Sequence, residues 1–276
     1  MSSRELFATY LTSGQRKIFA LLSSPKNTSS DTALLIVPPF AEEMNKSRRM
    51  FSLLSMSLAE SGQHVLLPDL SGTGDSSGGF EEASWSCWLE DCEASLAFLK
   101  SRGIKTINVL GLRTGALLVA ELITANQNQI ARCVLWQPVV DGSVFLTQFL
   151  RLLIASNMMS GDENKLSTKD LMNDFQKNRS VEIAGYTVSP QLVEGLVSSK
   201  LKNSDTSKFP KTAWFDLVPS ADRVAPVVNT RLQQQWSAEG VDLISKTVVG
   251  DSFWNTVEIV ENPQLIQETI EFLSLH

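Results

Sequence analysis

Short apolar runs alternate along the chain with segments of helical spacing, and this alternation constrains the fold more than any other feature of the sequence. The apolar runs predict strands at residues 16–23, 33–38, 64–69, 106–110, 132–137, 211–218 and 243–249. The other segments predict helices at residues 47–61, 84–102, 114–125, 226–239 and 263–275. Because strands that alternate with helices form parallel sheets covered on both faces, the sequence predicts an α/β fold.

The alternation fails between residues 142 and 208, where helical fragments are joined by polar stretches such as SGDENK and KNSDTSK. We interpret this region as an insertion over the edge of the sheet at which ligands bind. The predicted organisation is one core domain, formed by residues 1–141 and 209–276, with a helical lid at residues 142–208.

The charge balance argues against a nucleic-acid partner. Lysine and arginine total 24 and aspartate and glutamate total 30, which gives a net charge of -6. Proteins that bind nucleic acids through their phosphates usually carry an excess of basic residues instead. No apolar run reaches the roughly 18 residues that a membrane span needs, and the N-terminus MSSRELFATYLTSGQRK does not have the pattern of a secretory signal. We therefore expect a cytoplasmic protein without a transmembrane segment.

Histidine and cysteine are too few for a conventional metal site. The only histidines are His64 and His276, and the three cysteines, Cys87, Cys92 and Cys133, have no metal-ligand spacing. The cysteines are typical of reduced, buried thiols. We predict neither a metal nor a cofactor, and any Ser-His-Asp triad must use one of these two histidines.

Residues that follow the strands are the ones to inspect for chemistry, because ligands bind beyond the carboxyl ends of parallel strands. Four such segments are informative: PPFAEEMNKSRRM (38–50), DLSGTGDSSGGF (69–80), GLRTGALL (111–118) and VPSADR (218–223). Their order resembles the α/β-hydrolase fold, in which G-x-S-x-G forms a strained strand-to-helix turn. Here residues 111–115 have both glycines of that motif, with Arg113 in place of the serine. Taken alone, the two glycines also fit a merely close turn.

No histidine stands where the catalytic base of such a fold belongs. The base follows the last strand, where this chain has GDSFW at residues 250–254. His64 begins its strand, and five residues at about 3.3 Å each put it roughly 16 Å from the active edge. His276 is the terminal residue. The sequence therefore predicts that no Ser-His-Asp triad forms.

Several strings together resemble one specific family. They are PPFAEEMNKSRRM, DLSGTGDSSGGF, ASWSCWLED, GLRTGALL, VLWQPV, VEIAGYTVSP and FWNTVEI, and they resemble the exosortase A system-associated hydrolase 2 family. The resemblance implies an α/β-hydrolase fold and an association with exosortase and exopolysaccharide loci of Gram-negative bacteria. Residues 38–40 depart from the family's tendency to read His-Pro-Phe, since a proline stands at position 38. The family name records a fold and does not establish a hydrolytic reaction.

Charged side chains are what remains at the predicted active edge. Arg113 precedes a helix N-terminus, which itself favours an anion, and its guanidinium adds a forked set of donors. Glu42 and Glu43 follow the loop that usually supplies an oxyanion-hole N–H, and Asp222 follows the strand that usually supplies the triad acid. These four are the candidate catalytic residues. The candidate binding residues are Phe40, Thr114, Phe253 and Trp254.

Two interpretations of this charge cluster stay open. Arg113 could bind an anionic small molecule beside a glutamate that acts as acid or base, or it could form an internal ion pair with Glu42 or Glu43. The first predicts an atypical hydrolase or an acyl- or glycosyl-transfer enzyme. The second predicts a non-catalytic binding or partner protein of the same pathway. An ordinary serine esterase is a distant third hypothesis.

Overall fold

The sheet of this computed structural model, which describes residues 4–26, 30–159 and 167–274, has eight strands in the order β1-β2-β4-β3-β5-β6-β9-β10. Seven of these eight strands, all except β1, were predicted from the sequence. Their bounds are β2 Arg16–Pro25, β3 Thr32–Val37, β4 His64–Pro68, β5 Thr106–Leu112, β6 Arg132–Trp136, β9 Lys211–Val218 and β10 Leu243–Val249. In the sheet order from β4 to β10, every strand is parallel to its neighbours. The predicted α/β fold is confirmed.

Helices cover both faces of the sheet. The bounds of the helices outside the insertion are α1 Glu42–Glu60, α2 Trp85–Ser101, α3 Gly115–Ala125, α7 Val227–Ala238 and α8 Pro263–Ser274. Successive side chains of a strand point to opposite faces of the sheet, so each central strand contributes side chains to two hydrophobic cores. Leu35 and Val37 of β3 pack with α2 and α3, whereas Leu34 and Ile36 pack with α1 and α8. This double burial explains the continuously apolar strands.

Between β6 and β9 the described residues form three α-helices and a small hairpin. They are α4 Gly142–Met159, α5 Thr168–Gln176, the antiparallel strands β7 Val181–Ile183 and β8 Tyr186–Val188, and α6 Pro190–Ser198. The two ends of this segment are joined at its base, because Lys200 Nζ lies 2.8 Å from a carboxylate oxygen of Asp141. Among the described residues, Ser189 caps α6 and also donates its hydroxyl to the carbonyl of Ala83.

The pattern analysis missed three features of the fold. The strand β1 Arg4–Ser13 forms a hairpin with β2 through all ten of its residues, and it is half-exposed, so its sequence has no continuous apolar run. The strands β7 and β8 have three residues each, which is too short for any periodicity. Helix α1 begins at residue 42, five residues before the predicted start at 47; its acidic first turn is the signal that could have located the true start.

No helix within the described ranges is both long enough and apolar enough to cross a membrane.

Candidate functional site

The turn from β5 to α3 places Arg113 at the carboxyl edge of the sheet. Its backbone has a φ of 54°. Two backbone hydrogen bonds of 3.0 Å hold it in place: its N–H donates to the carbonyl of Trp136, and its carbonyl accepts from the N–H of Val139. A Cβ on Gly115 would lie 2.3 Å from the carbonyl oxygen of Val37, and one on Gly111 would lie 2.7 Å from the backbone of α3. The glycines are therefore required by close backbone packing, and the turn has the conformation of a nucleophile elbow.

The Arg113 side chain forms an ion pair with Glu43. Its Nε lies 3.3 Å from Oε1 of the glutamate, and each side chain is 19% exposed. The guanidinium carbon also lies 5.2 Å from the ring centre of Trp254 and 6.0 Å from that of Phe145. A long contact of 3.5 Å joins Nη1 to the carbonyl of Gln137. Nη2 makes no hydrogen bond within the described part of the chain, so the guanidinium keeps donors free for a ligand.

Glu43 is a carboxyl group whose environment favours its protonated form. Its Oε2 is buried and has no hydrogen-bond partner among the described residues. Burial raises the pKa of Glu43, and the opposing effect of the Arg113 charge is smaller. The carboxyl group can therefore hold a proton above the usual glutamate range, directly beside a fixed positive charge.

A cavity of about 290 Å³ opens above this pair. One wall is aromatic: the ring of Phe40 packs edge-on against Phe145 and Phe149, with centroid distances of 5.7 and 5.2 Å. The segment between β6 and β9 contributes α4 and the tip of the β7–β8 hairpin. The side chains lining the cavity are those of Phe40, Glu42, Glu43, Lys46, Arg113, Phe145, Gln148, Phe149, Leu152, Ala184, Trp254 and Asn255.

At the rim of the cavity Glu42 links α1 to the β7–β8 hairpin. One of its oxygens accepts hydrogen bonds from the Tyr186 hydroxyl and from Nδ2 of Asn45, each at 3.0 Å. Burial, with the neighbouring Glu42, raises the pKa of Tyr186 to about 12. Lys46 points its ammonium group to the carbonyl of Thr256 at 2.6 Å. Glu42 is thus engaged in holding the hairpin, whereas Glu43 faces Arg113.

Phe40 and Thr114 are joined by a hydrogen bond at the floor of the site. The N–H of Phe40 donates to Oγ1 of Thr114 at 2.8 Å, and both residues are buried. In an acyl-transfer enzyme of this architecture, two N–H groups hold the oxyanion. One belongs to the loop after the strand that corresponds to β3, and the other belongs to the residue after the nucleophile. Here one N–H of that loop, that of Phe40, already has an acceptor within the protein.

The structure does not bring every predicted site residue into the cavity. Asp222 lies exposed in the loop between β9 and α7, where its carboxylate accepts a hydrogen bond from the Ser220 hydroxyl at 2.6 Å. That bond lowers the pKa of Asp222, and among the described residues no hydrogen bond or ion pair joins Asp222 to Arg113 or Glu43. Phe253 is buried behind Trp254, with ring centroids 5.1 Å apart, and does not line the cavity.

The described histidine is remote from this edge. His64 begins β4, and its ring nitrogens lie 3.0 Å from the Ser24 hydroxyl and 3.2 Å from the Ser30 carbonyl. Burial lowers the pKa of His64. His276 lies outside the described residues. Over the ranges that the structure describes, no group of three or more His, Cys, Asp or Glu side chains is arranged to hold a metal ion.

Sequence reasoning identified only part of the site. It predicts that aromatic residues between positions 142 and 208 line the cavity, as Phe145 and Phe149 do, but the apolar residues of their helix do not indicate which face meets the cavity. Lys46 lies close in sequence to two other basic residues of α1, a pattern typical of a solvated helix face, and these two, Arg48 and Arg49, do pair elsewhere, with Asp69 and Glu261. The proximity of residues on α1, α4 and β5 depends on tertiary packing, which no local spacing encodes.

Solved structures share this architecture over nearly the whole chain. Est1E from Butyrivibrio proteoclasticus, in a structure with ferulic acid bound, is 16% identical with a TM-score of 0.69, covering 96% of this chain and 98% of that one. The enol-lactonase from Burkholderia xenovorans is 11% identical with a TM-score of 0.62, covering 97% and 100%. Proline iminopeptidase from Mycobacterium smegmatis is 13% identical with a TM-score of 0.61, covering 97% of each chain. At these identities the likeness establishes the fold, and the predicted α/β-hydrolase fold is confirmed.

A search of curated protein sequences found no significant match. The family described as serine aminopeptidase, S33, matches residues 29–201, a range that begins before β3 and ends after α6. That range contains Glu43, Arg113 and the helices α4 to α6. The chain therefore belongs to the serine aminopeptidase S33 family of α/β-hydrolase-fold proteins.

Proposed function

We propose that this protein binds a small anionic molecule in the cavity above Arg113 and carries out no serine-based hydrolysis. The observation that carries the proposal is the side chain of Arg113 itself. It occupies the nucleophile position, lines the cavity, and has a nitrogen that makes no hydrogen bond among the described residues. A partly buried guanidinium with a free donor is suited to a carboxylate or phosphate group.

Three features argue against acyl transfer through a tetrahedral intermediate. The nucleophile is replaced by Arg113, the described histidine lies at the opposite end of a strand, and the loop N–H of Phe40 is engaged by Thr114. Loss of the nucleophile or of the base removes most triad catalysis by itself. The family name thus describes an architecture that this chain uses for another purpose.

Glu43 supports anion binding because it can be neutralised. With Glu43 ionised, the pair has no net charge. With Glu43 protonated, which its raised pKa favours, Arg113 presents a full positive charge, and the carboxylic acid gains a proton that it can donate to a ligand oxygen. We infer that an anion binds together with a proton taken up by Glu43.

The rest of the ligand is apolar or aromatic in this proposal, because the rings of Phe40, Phe149 and Trp254 surround the charged pair. Residues 142–208 serve as a lid over it. The resemblance to the exosortase A system-associated hydrolase 2 family supports a role with an intermediate of exopolysaccharide or envelope assembly, acting in the cytoplasm.

A second candidate function is catalysis by Glu43 as a general acid or base. The buried Oε2 of Glu43 has no hydrogen-bond partner among the described residues, so its proton is available to a ligand. Conversion of a bound ligand by the parent chain, abolished in Glu43→Gln with binding retained, would favour this enzyme over a binding protein.

The test is calorimetric binding of phenylacetate and of its neutral analogue phenylacetamide. We expect phenylacetate to bind the parent chain, phenylacetamide to bind at least tenfold more weakly, and Arg113→Gln to remove that difference, because a charge-assisted hydrogen bond contributes about 1.5–3 kcal/mol. Arg49→Gln is the matched control, since Arg49 is an arginine on α1 that pairs with Glu261. Equal affinity of the parent and Arg113→Gln for phenylacetate would overturn the proposal.

A further inference from the structure

Arg113 lines two cavities, of which the site described above is one. The second has a volume of about 320 Å³ and is lined by the same arginine, by the loop after β6 and by the start of α7. Arg113, Phe145 and Gln148 line both. The second cavity is also lined by Pro138, Val139, Asp141, Val144 and Val228.

Helix α4 runs along both cavities and shows how they are arranged. Val144 lines the second cavity and Leu152 lines the first, while Phe145 and Gln148 lie between them in the chain and line both. Eight residues of α-helix separate Val144 from Leu152, a rise of about 12 Å. A molecule that extends from one cavity into the other must therefore pass Arg113 near its middle.

The position of the cation limits the chemistry of such a molecule. A carboxylate or a phosphomonoester ends a molecule, because its anionic group has a single substituent, so a ligand of that kind fills one cavity. A phosphodiester keeps one negative charge while it bears two substituents. Its single charge also suits the Arg113 guanidinium, which pairs with Glu43 through Nε and keeps one nitrogen without a hydrogen bond among the described residues, and the carboxylate of Asp141 in the second cavity is already paired with Lys200.

We propose that the ligand is a phosphodiester whose phosphate lies at Arg113 and whose two substituents lie one in each cavity; this rests on the proposed function of the same site. The substituent in the first cavity packs against the rings of Phe40, Phe149 and Trp254 and is apolar or aromatic. The second cavity has an apolar wall of Pro138, Val139 and Val228 and takes the other substituent.

Two phosphodiesters of equal charge test the proposal by calorimetry. Bis(4-nitrophenyl) phosphate has two aryl substituents, and methyl 4-nitrophenyl phosphate has one. Each cavity can be narrowed from α4, where Leu152 is 56% and Val144 is 53% exposed, so that tryptophan is accommodated at either position. The variants are Leu152→Trp and Val144→Trp. Val257→Trp is the control, since Val257 is 93% exposed and lines neither cavity.

We expect the parent chain to bind the bis-aryl diester at least tenfold more tightly than the methyl aryl diester. Each α4 variant should weaken the bis-aryl diester at least tenfold, whereas only Leu152→Trp should weaken the methyl aryl diester to that extent. The control should change neither affinity by more than twofold. Arg113→Gln should weaken both diesters.

Equal affinities of the two diesters for the parent chain, or an unchanged affinity of the bis-aryl diester in Val144→Trp, would overturn the diester proposal. Arg113-dependent binding of phenylacetate would in that case leave the proposed function standing. Failure of the parent to bind either diester, with phenylacetate still bound, overturns the diester proposal alone. Binding of all these anions that does not depend on Arg113 overturns both.

Discussion

The backbone N–H of Phe40 donates a 2.8 Å hydrogen bond to Oγ1 of Thr114, across the floor of the site and between two segments that are 74 positions apart in sequence. In a serine hydrolase of this fold, a loop N–H in this region must stay available for an oxyanion. Here it is satisfied within the protein and buried. The contact therefore stabilises the folded chain in a place where an enzyme of this architecture keeps a donor for its transition state.

Arg113→Ser should not create an esterase, although it restores the G-x-S-x-G string. A serine without a base keeps its ordinary unactivated hydroxyl, and the described histidine contacts Ser24 and Ser30 instead. The measurement is 4-nitrophenyl acetate hydrolysis by parent and variant, together with labelling by a fluorophosphonate probe. Hydrolysis well above the parent rate, or stoichiometric labelling of the serine, would mean that another residue supplies the base.

The ion pair between Arg113 and Glu43 should couple the two side chains energetically. Arg113→Ala leaves a buried carboxylate without its cation, so we expect a loss of about 2 kcal/mol of unfolding free energy at neutral pH; the partial exposure of both groups keeps the loss below that of a fully buried pair. Glu43→Gln and the double variant complete a thermodynamic cycle measured by denaturant unfolding. We expect a coupling energy of about 1 kcal/mol, and strict additivity would contradict the pairing.

Stability should fall with rising pH through the titration of Glu43. Burial raises the pKa of this carboxyl group in the folded state, so between the unfolded and the folded pKa the folded chain holds more protons. The stabilisation is complete below the unfolded pKa and is lost as pH rises through the folded pKa. Unfolding free energies of the parent minus those of Glu43→Gln, measured from pH 4 to pH 8, should decrease with pH; a constant difference would refute this.

Gly115→Ala should destabilise the chain by about 2–4 kcal/mol, because overpacking against fixed backbone cannot be relieved by a rotamer change. The added Cβ would lie 2.3 Å from the carbonyl oxygen of Val37, which belongs to β3, the strand beside the β5 strand that leads into α3. Thermal unfolding measures the effect. Ala116→Ser is a suitable comparison at the next position. A variant as stable as the parent would show that β3 and the start of α3 can move apart.

The fold was predictable where burial is complete. The strands β3, β5, β6 and β9 are buried on both faces. Because both faces of such a strand must be apolar, its sequence is a continuous apolar run. The strand β1 is exposed along most of its length and leaves no such run. The β7–β8 hairpin depends on a two-residue turn at Ala184 and Gly185, whose φ values are 52° and 84°; the glycine was its only local signal.

The candidate site was predictable to the extent that topology determines it. Strand ends of a parallel sheet meet at one edge, so Arg113 and Glu43 could be expected near each other from their places after β5 and β3. The same rule predicted a place for Asp222, but the loop after β9 turns it toward solvent beside Ser220. Which of two adjacent glutamates faces the arginine depends on the rotation of α1, and that rotation is fixed by packing with α8 and β4.

The left-handed backbone of Arg113, with its φ of 54°, bears on the rate of ligand capture. A residue with a Cβ disfavours this conformation by about 1–2 kcal/mol, so only the surrounding turn keeps it there. That turn fixes the direction of the Cα–Cβ bond of Arg113 before any ligand arrives, and the contacts with Glu43 and Trp254 position the guanidinium. An anion then meets a receptor that needs no backbone rearrangement. Association should proceed as one concentration-dependent phase at a rate limited by encounter, with differences among anions appearing in their residence times.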